Sequence, residues 1–257
     1  MMGHPEFTVL LSASVPTVER AEKYARIKDA QINIEEAVIS IARAVFSNNG
    51  QLIFGGHPSI TPLVAMVATE FEKSRGAEQL ENLYPLVRIY QSEAFRAVLP
   101  TDTMSLLKLD IVEVIWTQAI AGESFEVNIP GLPQCGKSLR SLRDKMIHKS
   151  NPIHAQICIG GMEGVEEEVD LFQERFPNHP VYLLPQTGGA TDILRKRKLD
   201  WETRRDLPKG PNFKIMEVDD LEMKRALGLE DSPFEHLAYP YGYIANWIVS
   251  ELIDRPF

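Results

Sequence analysis

The sequence is poor in cysteine, short of positive charge and without any long apolar run, and each lack removes a class of protein. Two cysteines in 257 residues, Cys135 and Cys158, are too few and too far apart for a disulfide framework or a zinc site. Cys158 lies inside an apolar run and reads as a buried free thiol; both cysteines fit a reducing compartment. Basic residues number 27 against 36 acidic ones, a formal net charge of -9. Binding nucleic acid or an anionic membrane surface takes basic area to displace counterions, so neither partner is expected. No stretch approaches the ~18 apolar residues of a transmembrane helix. The first residues also lack the basic start and apolar centre of a signal peptide. The expectation is a cytoplasmic protein.

Familiar catalytic motifs are missing too. There is no G-x-S-x-G elbow. Gly131-Leu132-Pro133-Gln134-Cys135-Gly136-Lys137-Ser138 has the P-loop spacing, but it sits in a stretch that reads as a surface excursion with no strand leading into it, and it is discounted. His4, His148, His154, His179 and His236 show no metal-ligand spacing, and no metal is expected.

What is present is an ordinary globular composition, 44% hydrophobic, in which strands and helices alternate. FTVLLSASVP at 7–16 reads as a buried strand ending in the hydroxyls of Ser12 and Ser14. NIEEAVISIARAVF follows at helical spacing, with Asn33 as its cap and Asn48-Asn49-Gly50 as its stop. QLIF is a second strand, and Thr61-Pro62 opens the next helix as N-cap and N1. Residues 86–95 and 111–117 read as further strands, 119–136 as a surface excursion and 138–147 as a helix. HAQICIGG and PVYLLPQTGG are strands followed at once by helices. The pattern predicts an α/β fold in three layers, a mainly parallel central sheet of about six strands covered on both faces. Residues 1–200 form the core of that reading. In 201–257 a polar lid or linker at 200–235 precedes an apolar helix, YGYIANWIVSELI, which packs on the core or on a second subunit.

Three strands finish in glycine pairs: Gly55-Gly56, Gly160-Gly161 and Gly188-Gly189. Strand C-termini share one edge of a parallel sheet, and ligands bind in the crevice there. The site expected along it holds Ser12, Ser14, Gly55, Gly56, His57, Gly161, Thr187, Gly188 and Gly189. His57 either meets a ligand or ties its own loop. Gly188-Gly189-Ala190-Thr191-Asp192 starts a helix in a way that suits phosphate, with Asp192 capping it or facing a ribose hydroxyl. Glu163, Glu166, Glu167 and Glu168 crowd the start of another helix, where the dipole favours acids. Glu168 borders the stripe Val165, Val169, Phe172 and Phe176, whereas Glu166 and Glu167 are better placed to meet water.

Phe54-Gly55-Gly56-His57-Pro58, Gly160-Gly161-Met162-Glu163-Gly164-Val165-Glu166-Glu167-Glu168 and Thr187-Gly188-Gly189-Ala190 resemble the SLOG superfamily. That Rossmann-like group spans DprA proteins, LOG phosphoribohydrolases and sensor domains of bacterial anti-phage systems. The similarity runs over about 7–195 and is closest to the defence-associated branch. It implies a Rossmann-like sandwich that binds a nucleotide or an NAD-derived, ADP-ribose-like signal. Set against the LOG pattern P-G-G-x-G-T-x-x-E, residues Gly160, Gly161, Gly164 and Glu168 match. Ile159 replaces the proline, Met162-Glu163 adds one residue, and Val165 replaces the phosphate-holding threonine. These departures weaken hydrolysis more than binding. Three expectations follow: a ligand sensor with Glu163 and Glu168 in its pocket; an N-glycosidase acting through Glu168 with help from Glu163; and a ligand-free assembly subunit. A homo-oligomer and an effector protein are the expected macromolecular partners.

Overall fold

The computed structural model describes residues 4–16, 24, 30–75, 84–125, 134–203, 212–217, 225 and 239–254. Its strands are β1 (Thr8–Ser14), β2 (Gln51–Gly55), β3 (Val87–Ser92), β4 (Val112–Thr117), β5 (Ala155–Gly160), β6 (Val181–Leu184) and β7 (Phe213–Ile215). Every pairing among them is parallel, in the order β4-β3-β2-β1-β5-β6-β7. Central parallel strands are covered on both faces and so need apolar side chains all along. β5 and β6 meet this with every residue buried.

The helices are α1 (Ala30–Ser47), α2 (Thr61–Arg75), α3 (Thr101–Leu106), α4 (Gly136–Met146), α5 (Glu163–Arg175), α6 (Ala190–Thr203) and α7 (Tyr241–Ile253). Strand alternation separates two cores. Val9, Leu11, Ile157 and Ile159 pack with α1, α2 and α7. Leu10, Ile53 and Cys158 pack with Leu142 and Met146 of α4, Val165, Val169 and Phe172 of α5, and Leu194 of α6. The three layers are those the sequence pattern predicts, here with all pairings parallel.

Several boundaries differ from expectation for local physical reasons. The sheet has a seventh strand: Phe213–Ile215 pairs with β6 inside the stretch read as a lid. Three residues are too few to display a period of two. The rest of that lid lies outside the described residues, apart from residues 200–203 at the end of α6, 212, 216–217 and 225. α1 starts at Ala30, which puts Asn33 inside it; Gln31 Nε2 donates to Glu35 Oε1 at 2.8 Å across one turn of that extension. β3 stops at Ser92, whose Oγ accepts from Ala94 N–H and caps a 3₁₀ turn over Glu93–Val98. Thr61 is the first helical residue of α2, and its hydroxyl accepts from His57 N–H.

α7 lies against α1, burying Ile244, Ala245, Ile248, Val249 and Leu252. Its Glu251 accepts from Tyr182 Oη at 2.9 Å and pairs with Lys214, which ties the helix to β6 and β7. Tyr243, Trp247 and Ile253 remain exposed. Among the described residues no helix is long and apolar enough to cross a membrane.

The chain builds the sheet outward from β1 to β4 and then returns to the other side of β1 with β5. The order therefore reverses between β1 and β5, the point where open α/β sheets leave a crevice at their C-terminal edge.

Candidate ligand site at the strand ends

A cavity of about 110 Å³ opens at that edge. One wall is the sheet rim: Ala13 and Ser14 of β1, Gly55 of β2, then Gly56 and His57. The facing wall comes from two helices: Leu139, Leu142 and Arg143 of α4, and Gly164, Val165 and Glu168 of α5.

The first turn of α5 carries the polar end. No side chain caps this helix at Met162, so its leading N–H groups, the positive pole of the helix dipole, lack a built-in side-chain acceptor. Gly164 makes room there for a cation. A Cβ on it would lie 2.5 Å from Arg143 Nη2. Arg143 pairs with Glu167 and also approaches Glu168, Nε to Oε1 at 3.5 Å, with both side chains largely covered. Arg140 holds the other side of Glu167 at 2.8 Å.

Glu168 receives its best hydrogen bond from below. Ser12 Oγ donates to Oε2 at 2.5 Å, and Gln156 Nε2 donates to Ser12 Oγ at 2.8 Å. Burial holds the Glu168 carboxyl above the ordinary carboxylate range, opposed by Arg143 and the Ser12 hydrogen bond. Burial pushes His57 the other way and keeps its ring neutral. His57 Nδ1 lies 2.8 Å from Ser59 Oγ and meets Ser59 N–H at 3.3 Å, so this side of the ring is tied to its own loop.

Of the residues named from sequence, Ser14, Gly55, Gly56, His57 and Glu168 line this cavity, and Ser12 supports it through Glu168. Gly161, Thr187, Gly188 and Gly189 lie in a backbone seam beside it. Thr187 Oγ1 accepts from Gly160 N–H at 2.7 Å and donates to Leu184 O at 2.5 Å, so its hydroxyl is fully engaged. Gly189 has φ +64, and a Cβ there would run into Gly161 O; Ala190 N–H donates to that same oxygen. Glu163 is exposed and does not line the cavity. Asp192 neither caps α6 nor faces the cavity; it pairs with Arg195 and Lys196 one turn on. Glu166 does not face water: Tyr24 Oη and Arg197 engage it, and its side chain is 15% exposed, close to the 13% of Glu168.

Arg143 and Gln156 escaped the sequence reading. Arg143 follows Leu142 on an amphipathic helix and is one of several basic residues there. Gln156 is a lone amide in the apolar run AQICIG, and that interruption was the available signal.

No curated protein matches the chain. Among solved structures it is similar to a structural-genomics target designated TM1055, at 15% identity over 74% of this chain and 81% of that one, TM-score 0.42. It is also similar to a Leishmania donovani chain described as a candidate MAR1 ribonuclease, at 12% identity over 99% of this chain and 96% of that one, TM-score 0.33. At these scores neither likeness bears on function. The family model is more informative, because it spans the glycine turns, α4 and α5 that build the cavity: the SLOG cluster3 family matches over residues 23–213, and this chain belongs to it.

Proposed function

We propose that the chain binds a nucleotide or an NAD-derived, ADP-ribose-like molecule at the C-terminal edge of its sheet and acts as a sensor of it. The observation that carries this reading is the pairing of Arg143 with the uncapped start of α5 on one wall of the cavity, next to a carboxylate. A helix N-terminus and a guanidinium suit the oxygens of a phosphate. Glu168 suits a sugar hydroxyl, from which a carboxylate accepts a hydrogen bond. Leu11, Leu139 and Leu142 give the cavity apolar contact surface. Its volume, about 110 Å³, is below the ~300–1,000 Å³ of pockets that enclose whole small molecules. One phosphate or sugar unit is seated in it, and the remainder of the ligand lies outside. Anti-phage defence or nucleotide signalling is the setting that the superfamily resemblance adds. A sensor must also inform something, a second copy or an effector protein, through a state that the ligand binds better.

An N-glycosidase is the second reading, favoured by one observation: Glu168 is held partly against ionisation beside Arg143, an environment in which carboxyl groups serve as acids or nucleophiles. Thermal unfolding with AMP, NAD, ADP-ribose and cyclic ADP-ribose, with chromatography of each sample, separates the readings. A ligand at one hundred times its Kd adds about 2.7 kcal/mol. Stabilisation with intact ligand supports the sensor. Released base that disappears in Glu168→Gln supports the glycosidase. No stabilisation by any of the four leaves the ligand-free assembly subunit.

A further inference from the structure

Gln156 is fully buried near the start of β5, where the rest of the strand is apolar or small. Burying an amide is unfavourable unless it is hydrogen-bonded. Yet this one makes a single side-chain bond, to Ser12 Oγ, and its Oε1 has no partner among the described residues. Leu10 is the register partner of Gln156 and Cys158 that of Ser12, so the amide reaches diagonally from β5 to the adjacent β1, on the face that meets α5.

We propose that Gln156 and Ser12 are positioning residues, a buried hydrogen-bond chain that orients Ser12's only proton onto Glu168 Oε2 and so sets the charge Glu168 presents to the cavity. The proposal concerns the same cavity as the nucleotide reading and rests on it only for what Glu168 meets there. Proton bookkeeping gives the direction. With Nε2 of Gln156 donating to Ser12 Oγ, the hydroxyl has its own proton free to give, and Glu168 Oε2 must accept it as a carboxylate oxygen. In the reverse arrangement, a protonated Glu168 donating to Ser12, the Ser12 proton loses Glu168 as its acceptor, and a turned Gln156 Oε1 is the group within reach that would take it.

Among the other groups around Glu168, Arg143 favours the carboxylate more strongly than Ser12 through its charge, but it does not orient the Ser12 proton. Arg143 from α4 is 3.5 Å away and shared with Glu167, whose own charge opposes ionisation. Cys158 of β5 is a neighbouring thiol kept protonated by burial and by Glu168. His57, across the cavity, is neutral. Ser12 is thus the close donor that favours the carboxylate, and Gln156 keeps it pointed that way.

The test follows the side-chain carboxyl resonance of Glu168 through a pH titration of ¹³C-glutamate-labelled, ligand-free protein, with Glu168→Gln used to assign it. Ser12→Ala is expected to raise the midpoint by about one to two pH units, the equivalent of one charge-assisted hydrogen bond. Gln156→Met is expected to raise it less, and to add nothing in the Ser12→Ala background. Ser12→Thr keeps a hydroxyl and should hold the native midpoint, which preserves the test if Gln156→Met does not fold. An unchanged midpoint in Ser12→Ala overturns the proposal. So does a Gln156→Met shift that persists at full size without the hydroxyl, since a merely structural amide would behave that way. Failure of nucleotide binding leaves this result untouched, because no ligand is present.

Discussion

Arg143 and Gly164 show how much of the site depends on one missing methyl group. Because a Cβ at Gly164 would sit 2.5 Å from Arg143 Nη2, Gly164→Ala should displace the guanidinium while the fold persists, the clash being with the tip of a flexible side chain. Under the proposed function the affinity for AMP, measured by calorimetry, should fall by about tenfold, in line with loss of one charge-assisted hydrogen bond. An unchanged affinity would remove Arg143 from the ligand's contacts. Glu168 gives a second prediction at this scale. Its carboxyl binds its proton more tightly folded than unfolded, so the folded state is penalised as pH rises. That penalty is absent below the ordinary value of 4.5 and complete above the raised folded value. Glu168→Gln should therefore raise Tm at pH 7.5, by about 2–4 °C for each kcal/mol relieved, and change it little at pH 4. A loss of Tm at pH 7.5 would mean that the Arg143 pairing outweighs burial.

At the scale of elements, α4 is the part that a reading of isolated segments undervalues. It supplies Leu139, Leu142 and Arg143 to the cavity, and a distant residue pins its start: Glu123 accepts from Lys137 N–H, Ser138 N–H and Ser138 Oγ. Part of the excursion at 119–136 is thus the cap of a site helix; residues 126–133 lie outside the described residues. Ser138 Oγ also accepts from Ile120 N–H at 3.0 Å. Ser138→Ala removes both bonds and leaves a part-buried donor unmatched. It should cost about 1–2 kcal/mol in urea unfolding, with a proportionate loss of ligand affinity as the α4 end loosens. Stability loss without any loss of affinity would separate the cap from the site. The glycine turns at 55–56, 160–161 and 188–189 were legible as strand ends. Their division of labour was not: the first lines a cavity, whereas the other two pack backbone on backbone.

For the whole molecule, α7 closes the sheet layer that α1 begins. Ile248 is fully buried against that layer, so Ile248→Ala should cost about 2–5 kcal/mol. Calorimetry should show one transition moved downward. A new separate transition would show that α7 unfolds independently of the sheet. The exposed Tyr243 and Trp247 on the same helix lie 6.4 Å apart, ring centre to ring centre. Under the proposed sensor function with a second copy as its partner at this face, sedimentation velocity should show a dimer that Trp247→Lys dissociates. A monomer at all concentrations would leave the face to another partner or to none.

The sequence by itself determined the layers, because continuous apolar strands alternating with helices can be buried only as a parallel sheet covered on both sides. It also determined that the strands end in glycine and small hydroxyl residues, and it pointed to Glu168 through its place beside an apolar stripe. Tertiary structure decided which of those ends form a cavity. It brought Arg143 to Glu168 across 25 positions of chain, set Gln156 under Ser12 through strand register, and added β7 to the sheet edge. Those are pairings between segments. Neither periodicity nor composition carries them, since each arises only when two elements share one face of the sheet.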